Sequence, residues 1–157
     1  WGVGANDAEA VLRALPSLHL RYRAQDAAGR ELARWLAARP EVAQVLHPAL
    51  ADSPGHAHWR AVCGEQGLAA GLFSIVFQPA YSPERVDAFC DALRLFRIGY
   101  SWGGPTSLVV PYNVPSMRSA AVAPWPHAGT LVRFSVGLEE VADLRADLAQ
   151  ALGALVG

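Results

Sequence analysis

The segment Leu72–Phe77 constrains the fold of this chain more than any other segment. Its sequence, Leu-Phe-Ser-Ile-Val-Phe, is rich in β-branched and aromatic side chains, and Pro79 lies two residues beyond its end. Such a run predicts a strand, because these side chains pack well on a pleated sheet and proline disrupts strand pairing. The chain is therefore expected to build its core around a sheet.

Residues 130–136 predict a second strand, half buried. The apolar residues Val132, Phe134 and Val136 point to one face, and the residues between them, which include Arg133, point to the other. Gly137 ends this pattern. Shorter strands are predicted at residues 42–47, 98–101 and 108–111.

The helices are predicted from apolar residues at helical spacing. One covers residues 20–38, and a second begins at Pro83 with Ser82 as its N-cap. A third follows with Glu139 and Glu140 in its first turn, where acidic side chains suit the helix dipole. Residues 49–66 are predicted to be irregular, and residues 112–128 to form a loop with one helical turn. The predicted fold class is α+β, a small sheet with helices packed on one face.

Composition narrows the class of protein further. The length of 157 residues is that of one domain, residues 1–157. A content of 52% hydrophobic and 17% charged residues excludes a disordered chain. A net charge of −1 indicates neither a nucleic-acid nor a membrane partner, and the longest nearly apolar run, residues 67–77, is too short to span a membrane. Two cysteines, Cys63 and Cys90, form no disulfide framework, so a reducing cytoplasm is expected and both are predicted to be small core or half-buried residues.

All thirteen basic residues are arginines. Because the chain lacks lysine, it can form no Schiff base of its own. It opens on Trp1, and its one methionine is Met117, which predicts a fragment or a processed product.

Arg133 is the first candidate site residue, because a guanidinium in the middle of an apolar strand needs an anionic partner. Its planar fork of donors fits a carboxylate with two parallel hydrogen bonds. Spacing alone favours an Asp or Glu of the same chain as that partner over a ligand.

The run Gly-Tyr-Ser-Trp-Gly-Gly at residues 99–104 is the second candidate. Its glycines allow close approach of the backbone to a ligand, and Tyr100 and Trp102 supply flat apolar walls with polar tips. Composition alone favours a tight turn with two packed aromatics. An exposed aromatic turn and a strand arginine can also form the two sides of one pocket.

A metal site is not predicted. His56 and His58, with His47 and Cys63 nearby, match none of the usual zinc-ligand spacings.

These segments together resemble the C-terminal part of the Cys/Met-metabolism family of pyridoxal-phosphate (PLP) enzymes. The resemblance rests on residues 99–104, on residues 130–140, on His-Pro-Ala-Leu at 47–50 followed by Gly55, His56 and Trp59, and on Gly-Leu-Phe-Ser at 71–74. It implies the C-terminal domain of a fold-type I, aspartate aminotransferase-like enzyme. Its cofactor would be PLP, bound mainly by a larger N-terminal domain that also carries the cofactor-bearing lysine.

Within that family, Tyr-Ser-Trp-Gly-Gly is similar to the bacterial cystathionine β-lyases. The resemblance implies α,β-elimination of cystathionine to homocysteine, pyruvate and ammonia, a step of methionine biosynthesis. It also implies that Arg133 binds the α-carboxylate of the amino-acid substrate, that Ser101 lies beside it, and that Tyr100 and Trp102 line the substrate pocket. This chain alone is expected to be inactive, with no catalytic residue of its own.

Two alternatives stay open. Pro-Thr-Ser at 105–107 stands where the family usually has Glu-Ser after one further residue, so a γ-synthase or γ-lyase is one alternative. The other is a non-catalytic small-ligand or assembly domain, which the lack of lysine favours. The resemblance further implies a homotetramer, with the apolar surface covered by the large domain and by a second subunit.

Overall fold

The computed structural model describes residues 2–119, 121–122 and 124–156. Its centre is one sheet with the strand order β1-β2-β5-β4-β3, in which only the β3–β4 pair is parallel. A bulge between Val42 and Gln44 interrupts the pairing at one edge, and a strand of two residues forms the other. The strands are β1 Val42–Leu46, β2 Leu72–Phe77, β3 Arg97–Ile98, β4 Leu108–Tyr112 and β5 Leu131–Ser135.

Six α-helices are present in the described part of the chain, and short 3₁₀ turns at Leu15–Ser17 and Leu152–Leu155 follow the first and the last of them. The helices are α1 Ala5–Ala14, α2 Leu18–Ala37, α3 His56–Cys63, α4 Pro83–Ala92, α5 Val114–Met117 and α6 Val141–Ala151. Helices α2, α4 and α6 contact one another or the sheet. The predicted α+β class, a small sheet with helices, is confirmed.

One face of the sheet forms the core with these helices. Phe134 of β5 lies between Phe73 and Val109 on the neighbouring strands, and the rings of Phe73 and Phe134 stack with centroids 5.4 Å apart. Leu36 of α2, Phe89 of α4 and Leu148 of α6 belong to the same buried cluster. The alternation in residues 130–136 predicts that Val132 and Phe134 share a buried face, and the structure confirms this. In a strand, every second side chain points to the same face of the sheet.

The second face of the sheet carries Arg133. Its direct neighbours in register are Ser74 on β2 and Val110 on β4. Val110 and Val76 are buried, yet neither joins the core cluster that the helices cover. Arg133 on this second face therefore lies between a polar and an apolar neighbour, outside the core that the helices cover.

Helix α2 differs from its predicted apolar stripe. Its second half is buried at Leu32 and Leu36 as expected, but Leu20 is exposed and the buried positions nearer the start include Gln25 and Asp26. These polar side chains face inward because they bind loop backbone: Gln25 donates to the carbonyl of Gly104, and Asp26 accepts from the N–H of Ala69. The hydrophobic pattern of the sequence does not indicate which polar side chains will hydrogen-bond to the backbone of a distant loop.

The structure differs from the prediction at four points. Residues 49–66 are not wholly irregular, because α3 occupies His56–Cys63 between Gly55 and Gly64, both with positive φ. Helix α1 was not predicted, although Ala8, Val11 and Leu12 recur at helical spacing; none of its residues is buried. Glu139, predicted in the first turn of the last helix, lies before α6, which begins at Val141. Cys63, predicted to be buried or half-buried, is exposed.

Asp147 of α6 fixes the segment between α4 and β3. Its buried carboxylate accepts hydrogen bonds from the backbone N–H groups of Arg94, Leu95 and Phe96 at 2.8 to 3.3 Å. These donors follow the end of α4 and have no strand partner, so the carboxylate satisfies groups that burial would otherwise penalise.

Replacement of Asp147 is expected to destabilise the fold. Asp147→Ala leaves three backbone donors without their acceptor and should lower the free energy of unfolding by about 1.5–3 kcal/mol. Urea denaturation followed by tryptophan fluorescence measures the change. Asp91→Ala is the control, because the Asp91 side chain is exposed and should cost less than about 0.5 kcal/mol. Equal losses for the two variants would contradict the assigned role of Asp147.

Candidate functional site

The Arg133 side chain is held against the turn that follows β3. Its Nη2 donates to the backbone carbonyls of Tyr100, at 2.7 Å, and of Ser101, at 3.3 Å. Arg133 is half buried, and its Nε is fully buried without a hydrogen-bond partner. The contact therefore joins two segments 32 residues apart and leaves part of the guanidinium free to bind another group.

The acidic partner that spacing alone favoured for Arg133 is not found among the residues that the structure describes. The ion pairs among the described residues involve other arginines: Arg13, Arg30, Arg39 and Arg60. Backbone carbonyls carry only partial negative charge, so the positive charge of Arg133 is not neutralised within the described part of the chain. The guanidinium thus keeps the capacity to bind an anion.

The turn itself is anchored by one side chain of β5 and one of α2. Ser135 Oγ accepts from the Gly103 N–H at 3.2 Å, and Gln25 Nε2 donates to the Gly104 carbonyl at 2.8 Å. Gly103 has φ +75°, a left-handed conformation that glycine adopts without strain. The backbone carbonyls that contact Arg133 therefore belong to a fixed turn.

The end of the turn is fixed by a buried serine. The Glu139 carboxylate accepts from both the N–H and the hydroxyl of Ser107 at 2.7 Å, and Ser107 Oγ accepts from the Gly137 N–H at 2.8 Å. Gly137 packs so closely on the turn that a Cβ there would lie 2.3 Å from the Pro105 carbonyl oxygen. Glu139 thus serves the turn, which explains why it is not in the helix.

The four predicted site residues lie in one region but do not share one cavity. Arg133 contacts the backbone of Tyr100 and Ser101, while the Tyr100 side chain is 73% exposed. Trp102, 66% exposed, lines a separate cavity of about 290 Å³ between the turn and the start of α2, together with Tyr22 and Ser135. The packed-aromatic alternative for the turn is therefore wrong, since both rings remain accessible.

Tyr112 contacts two of the predicted site residues, a contact that the sequence did not reveal. Its ring centroid lies 5.8 Å from Cζ of Arg133 and 6.2 Å from the ring centroid of Tyr100. Tyr112 pairs with Leu131, so it is the diagonal neighbour of Arg133 on the same face of the sheet. It also lines the cavity of about 390 Å³ that Asn113, His127 and Thr130 border. Only the register of β4 against β5 could have indicated this contact.

His47 lies apart from this region, in a buried polar cluster at the end of β1. Its Nδ1 accepts from the Ala49 N–H at 3.2 Å, and its Nε2 is buried without a partner. Burial is the main cause that lowers the pKa of His47 to about 4, with a further contribution from the positive charge of Arg30 and an opposing one from Asp26. His47 is therefore neutral near pH 7 and has a structural place in the fold.

No metal centre is assembled in the described residues, since no group of three His, Cys, Asp or Glu side chains comes together there. His56 Nδ1 instead lies 2.8 Å from the Pro48 carbonyl. Within the same residues, no helix combines the length and the hydropathy that crossing a bilayer requires.

Known proteins resemble this chain over most of its length. Residues 2–153 match the family of Cys/Met metabolism PLP-dependent enzymes. The chain belongs to this family. It is 39% identical over 155 residues to a cystathionine beta-lyase of Salmonella typhimurium, covering 97% of this chain and 38% of that protein. It is 37% identical over 149 residues to a cystathionine beta-lyase of Escherichia coli, covering 93% of this chain and 36% of that protein.

Solved structures show the same relationship. The O-acetylhomoserine sulfhydrylase of Wolinella succinogenes superimposes with a TM-score of 0.74 at 28% identity, over 96% of this chain and 39% of that one. A methionine gamma lyase of Micromonospora echinospora gives 0.71 at 33% identity, over 95% of this chain and 37% of that one. The chain thus spans less than two-fifths of the length of the relatives it matches.

The residues present do not fit covalent attachment of the family's cofactor. PLP is carried as an imine on a lysine, and this sequence contains none. Arg133 is the cation beside the aromatic turn, and its guanidinium suits a carboxylate held by paired hydrogen bonds. Within the described residues, the site therefore offers a cation that no acidic side chain neutralises.

The neutral state of His47 predicts an acid-sensitive fold. Because the pKa of His47 is lowered to about 4 in the fold from 6.5 when unfolded, the unfolded chain binds more protons between these values. The contribution of His47 to stability is therefore full above pH 6.5 and is lost as the pH falls toward 4. Urea midpoints measured from pH 7.5 to 4 should show this fall.

The matched variant is His47→Asn, in which the side-chain oxygen can still accept from the Ala49 N–H but no proton is taken up. Its urea midpoint should fall less steeply between pH 6.5 and 4 than that of the parent chain. His58→Asn, at an exposed position, should keep the parental slope. Parallel curves for the parent chain and His47→Asn would contradict the assignment.

Proposed function

We propose that this chain is the C-terminal substrate-binding domain, residues 1–157, of a PLP-dependent cystathionine β-lyase. The reaction is α,β-elimination of cystathionine, in which the Cα–H and Cβ–S bonds break, one water is consumed, and homocysteine, pyruvate and ammonia are released. The lysine that carries PLP would belong to a larger domain outside this sequence. The observation that carries the proposal is an arginine without an acidic partner in the described residues, held against an exposed Tyr-Ser-Trp turn.

Arg133 would bind the α-carboxylate of the amino-acid substrate. Both of its protein hydrogen bonds come from Nη2, so donors remain for a carboxylate oxygen. Two anchor points on a small amino acid, the carboxylate here and the amino group at the cofactor, fix the direction of the Cα–H bond. Such orientation lowers the entropic part of the barrier to proton removal.

Tyr100, Ser101 and Trp102 would form the wall of the same site. The two rings are exposed in this chain, which suits side chains that a substrate and a second domain would cover. The Ser101 hydroxyl, also exposed, is placed next to the carbonyl that contacts Arg133. It would hydrogen-bond the substrate carboxylate.

The exposed apolar surface supports a larger assembly. Val11 and Leu12 of α1 and Leu18 of α2 are 50 to 67% exposed, and Leu18 lines the cavity beside α2 together with Trp102. Contiguous exposed apolar side chains are typical of a contact surface. The large domain and a second subunit would cover them in a homotetramer, which we place in the cytoplasm.

Two relationships favour β over γ chemistry. Relatives at 37 and 39% identity carry the name cystathionine beta-lyase, whereas a cystathionine gamma-lyase of Bacillus subtilis is 33% identical. The γ-type enzyme stays the second candidate, since Thr106 departs from the usual family pattern. A non-catalytic domain is the third, and a start codon directly before Trp1 in the coding sequence would support it.

Removal of the guanidinium should impair the full-length enzyme. Arg133→Ala is expected to lower kcat/KM for cystathionine by about 1.5–3 kcal/mol, roughly 10- to 150-fold, because a charge-assisted contact to the substrate is lost. Steady-state kinetics measure the loss. Arg85→Ala, an exposed arginine on α4, is the control and should keep the parental kcat/KM. The carboxylate role would be refuted by an unchanged value in Arg133→Ala.

Product analysis tests the reaction itself. With cystathionine as substrate, the full-length enzyme should release pyruvate and homocysteine in equal amounts, as cleavage at Cβ–S requires. Formation of 2-oxobutyrate and cysteine would instead indicate γ-elimination, and net synthesis of cystathionine a γ-synthase. The Arg133→Ala enzyme, assayed at the same concentration, controls for contaminating lyases.

A further inference from the structure

We propose that Tyr112 is a positioning residue for Arg133, and that its ring holds the guanidinium in the orientation in which the substrate carboxylate meets it. The inference rests on the proposed function of Arg133. It adds a specific structural element, the end of strand β4, to the substrate site.

The first observation is the contact between the two side chains. Cζ of Arg133 lies 5.8 Å from the centroid of the Tyr112 ring, within the range of about 6 Å in which a guanidinium is attracted to an aromatic face. The two residues are diagonal neighbours on adjacent strands, so the backbone register itself brings them together. The contact does not depend on a loop.

The second observation is that Tyr112 is itself held in place. Its ring meets the ring of Tyr100 at a centroid distance of 6.2 Å and an interplanar angle of 69°, a preferred edge-to-face arrangement. Tyr100 in turn accepts from Arg133 Nη2 through its carbonyl. The three residues therefore form a closed set of contacts, Arg133 to Tyr112, Tyr112 to Tyr100, and Tyr100 to Arg133.

The third observation concerns what these contacts leave free. The carbonyls of Tyr100 and Ser101 engage only Nη2, and the buried Nε has no hydrogen-bond partner. Two carbonyls on one nitrogen restrain a guanidinium at one point, about which the rest of the group can still rotate. The Tyr112 ring restrains that rotation, and the pre-organised guanidinium then loses less entropy when it binds a carboxylate.

The test compares variants of the full-length enzyme. Tyr112→Phe keeps the ring and should leave KM for cystathionine within about twofold of the parent. Tyr112→Leu removes the ring and should raise KM about three- to tenfold. The value of kcat should change less than about twofold, because Arg133 still holds the carboxylate once the substrate is bound and only the cost of ordering the guanidinium rises. Tyr81→Leu is the matched control, because Tyr81 packs edge-on against Phe77 and touches neither Arg133 nor Tyr100. It should leave KM unchanged.

A double-mutant cycle separates positioning from simple structural support. Because Tyr112 acts through the guanidinium, Tyr112→Leu should change KM less than about 1.5-fold when introduced into Arg133→Ala. Equal effects in both backgrounds would overturn the inference, as would a KM rise as large in Tyr112→Phe as in Tyr112→Leu. If Tyr112→Leu does not fold by circular dichroism, Tyr112→Met replaces it, and the same KM rise is required.

The outcomes also distinguish this inference from the proposed function. If Arg133→Ala leaves kcat/KM unchanged, the carboxylate role fails and the role of Tyr112 fails with it. If Arg133→Ala lowers kcat/KM while Tyr112→Leu matches the parent, the proposed function stands and only the positioning role is wrong.

Discussion

The hydrogen bonds from Arg133 to the carbonyls of Tyr100 and Ser101 are the interaction on which the site depends. They join the central strand β5 to a turn that no regular secondary structure holds in place. A charged donor makes a strong hydrogen bond to a neutral carbonyl, and this bond does not neutralise its positive charge. The same two hydrogen bonds therefore shape the turn and leave a positive group with capacity for an anion.

The two faces of the sheet have separate roles. One face of the sheet packs against three helices, and the core between them includes Phe73, Val132 and Phe134. The other face surrounds Arg133 with Ser74 and Val110, so the stem of the side chain is covered while its end reaches the turn. Ser107 and Glu139 then fix the turn at its far end. Stability and binding thus rest on opposite sides of the same strand.

Sequence patterns predicted the elements that are formed by burial of apolar side chains. Alternation identified β5, and the β-branched run identified β2, because each strand has an apolar set that must be buried. The patterns failed where polar residues bind backbone: Gln25 and Asp26 are buried in α2, and Glu139 serves Ser107 instead of a helix. Helix α1 was missed although its apolar residues recur at helical spacing, and the structure buries none of its residues. Arg133, Tyr100, Ser101 and Trp102 were predicted as one region, and Tyr112 was not, because strand register is a long-range property.

The two edges of the sheet limit how this chain can associate with others. A bulge interrupts β1, and β3 offers only Arg97 and Ile98, so neither edge presents a long, regular row of free backbone groups. Extension of the sheet by a strand from another molecule is thereby disfavoured, which protects a chain with much exposed apolar surface from fibrillar aggregation. Any stable partner must instead recognise side chains, and that favours shape-specific assembly.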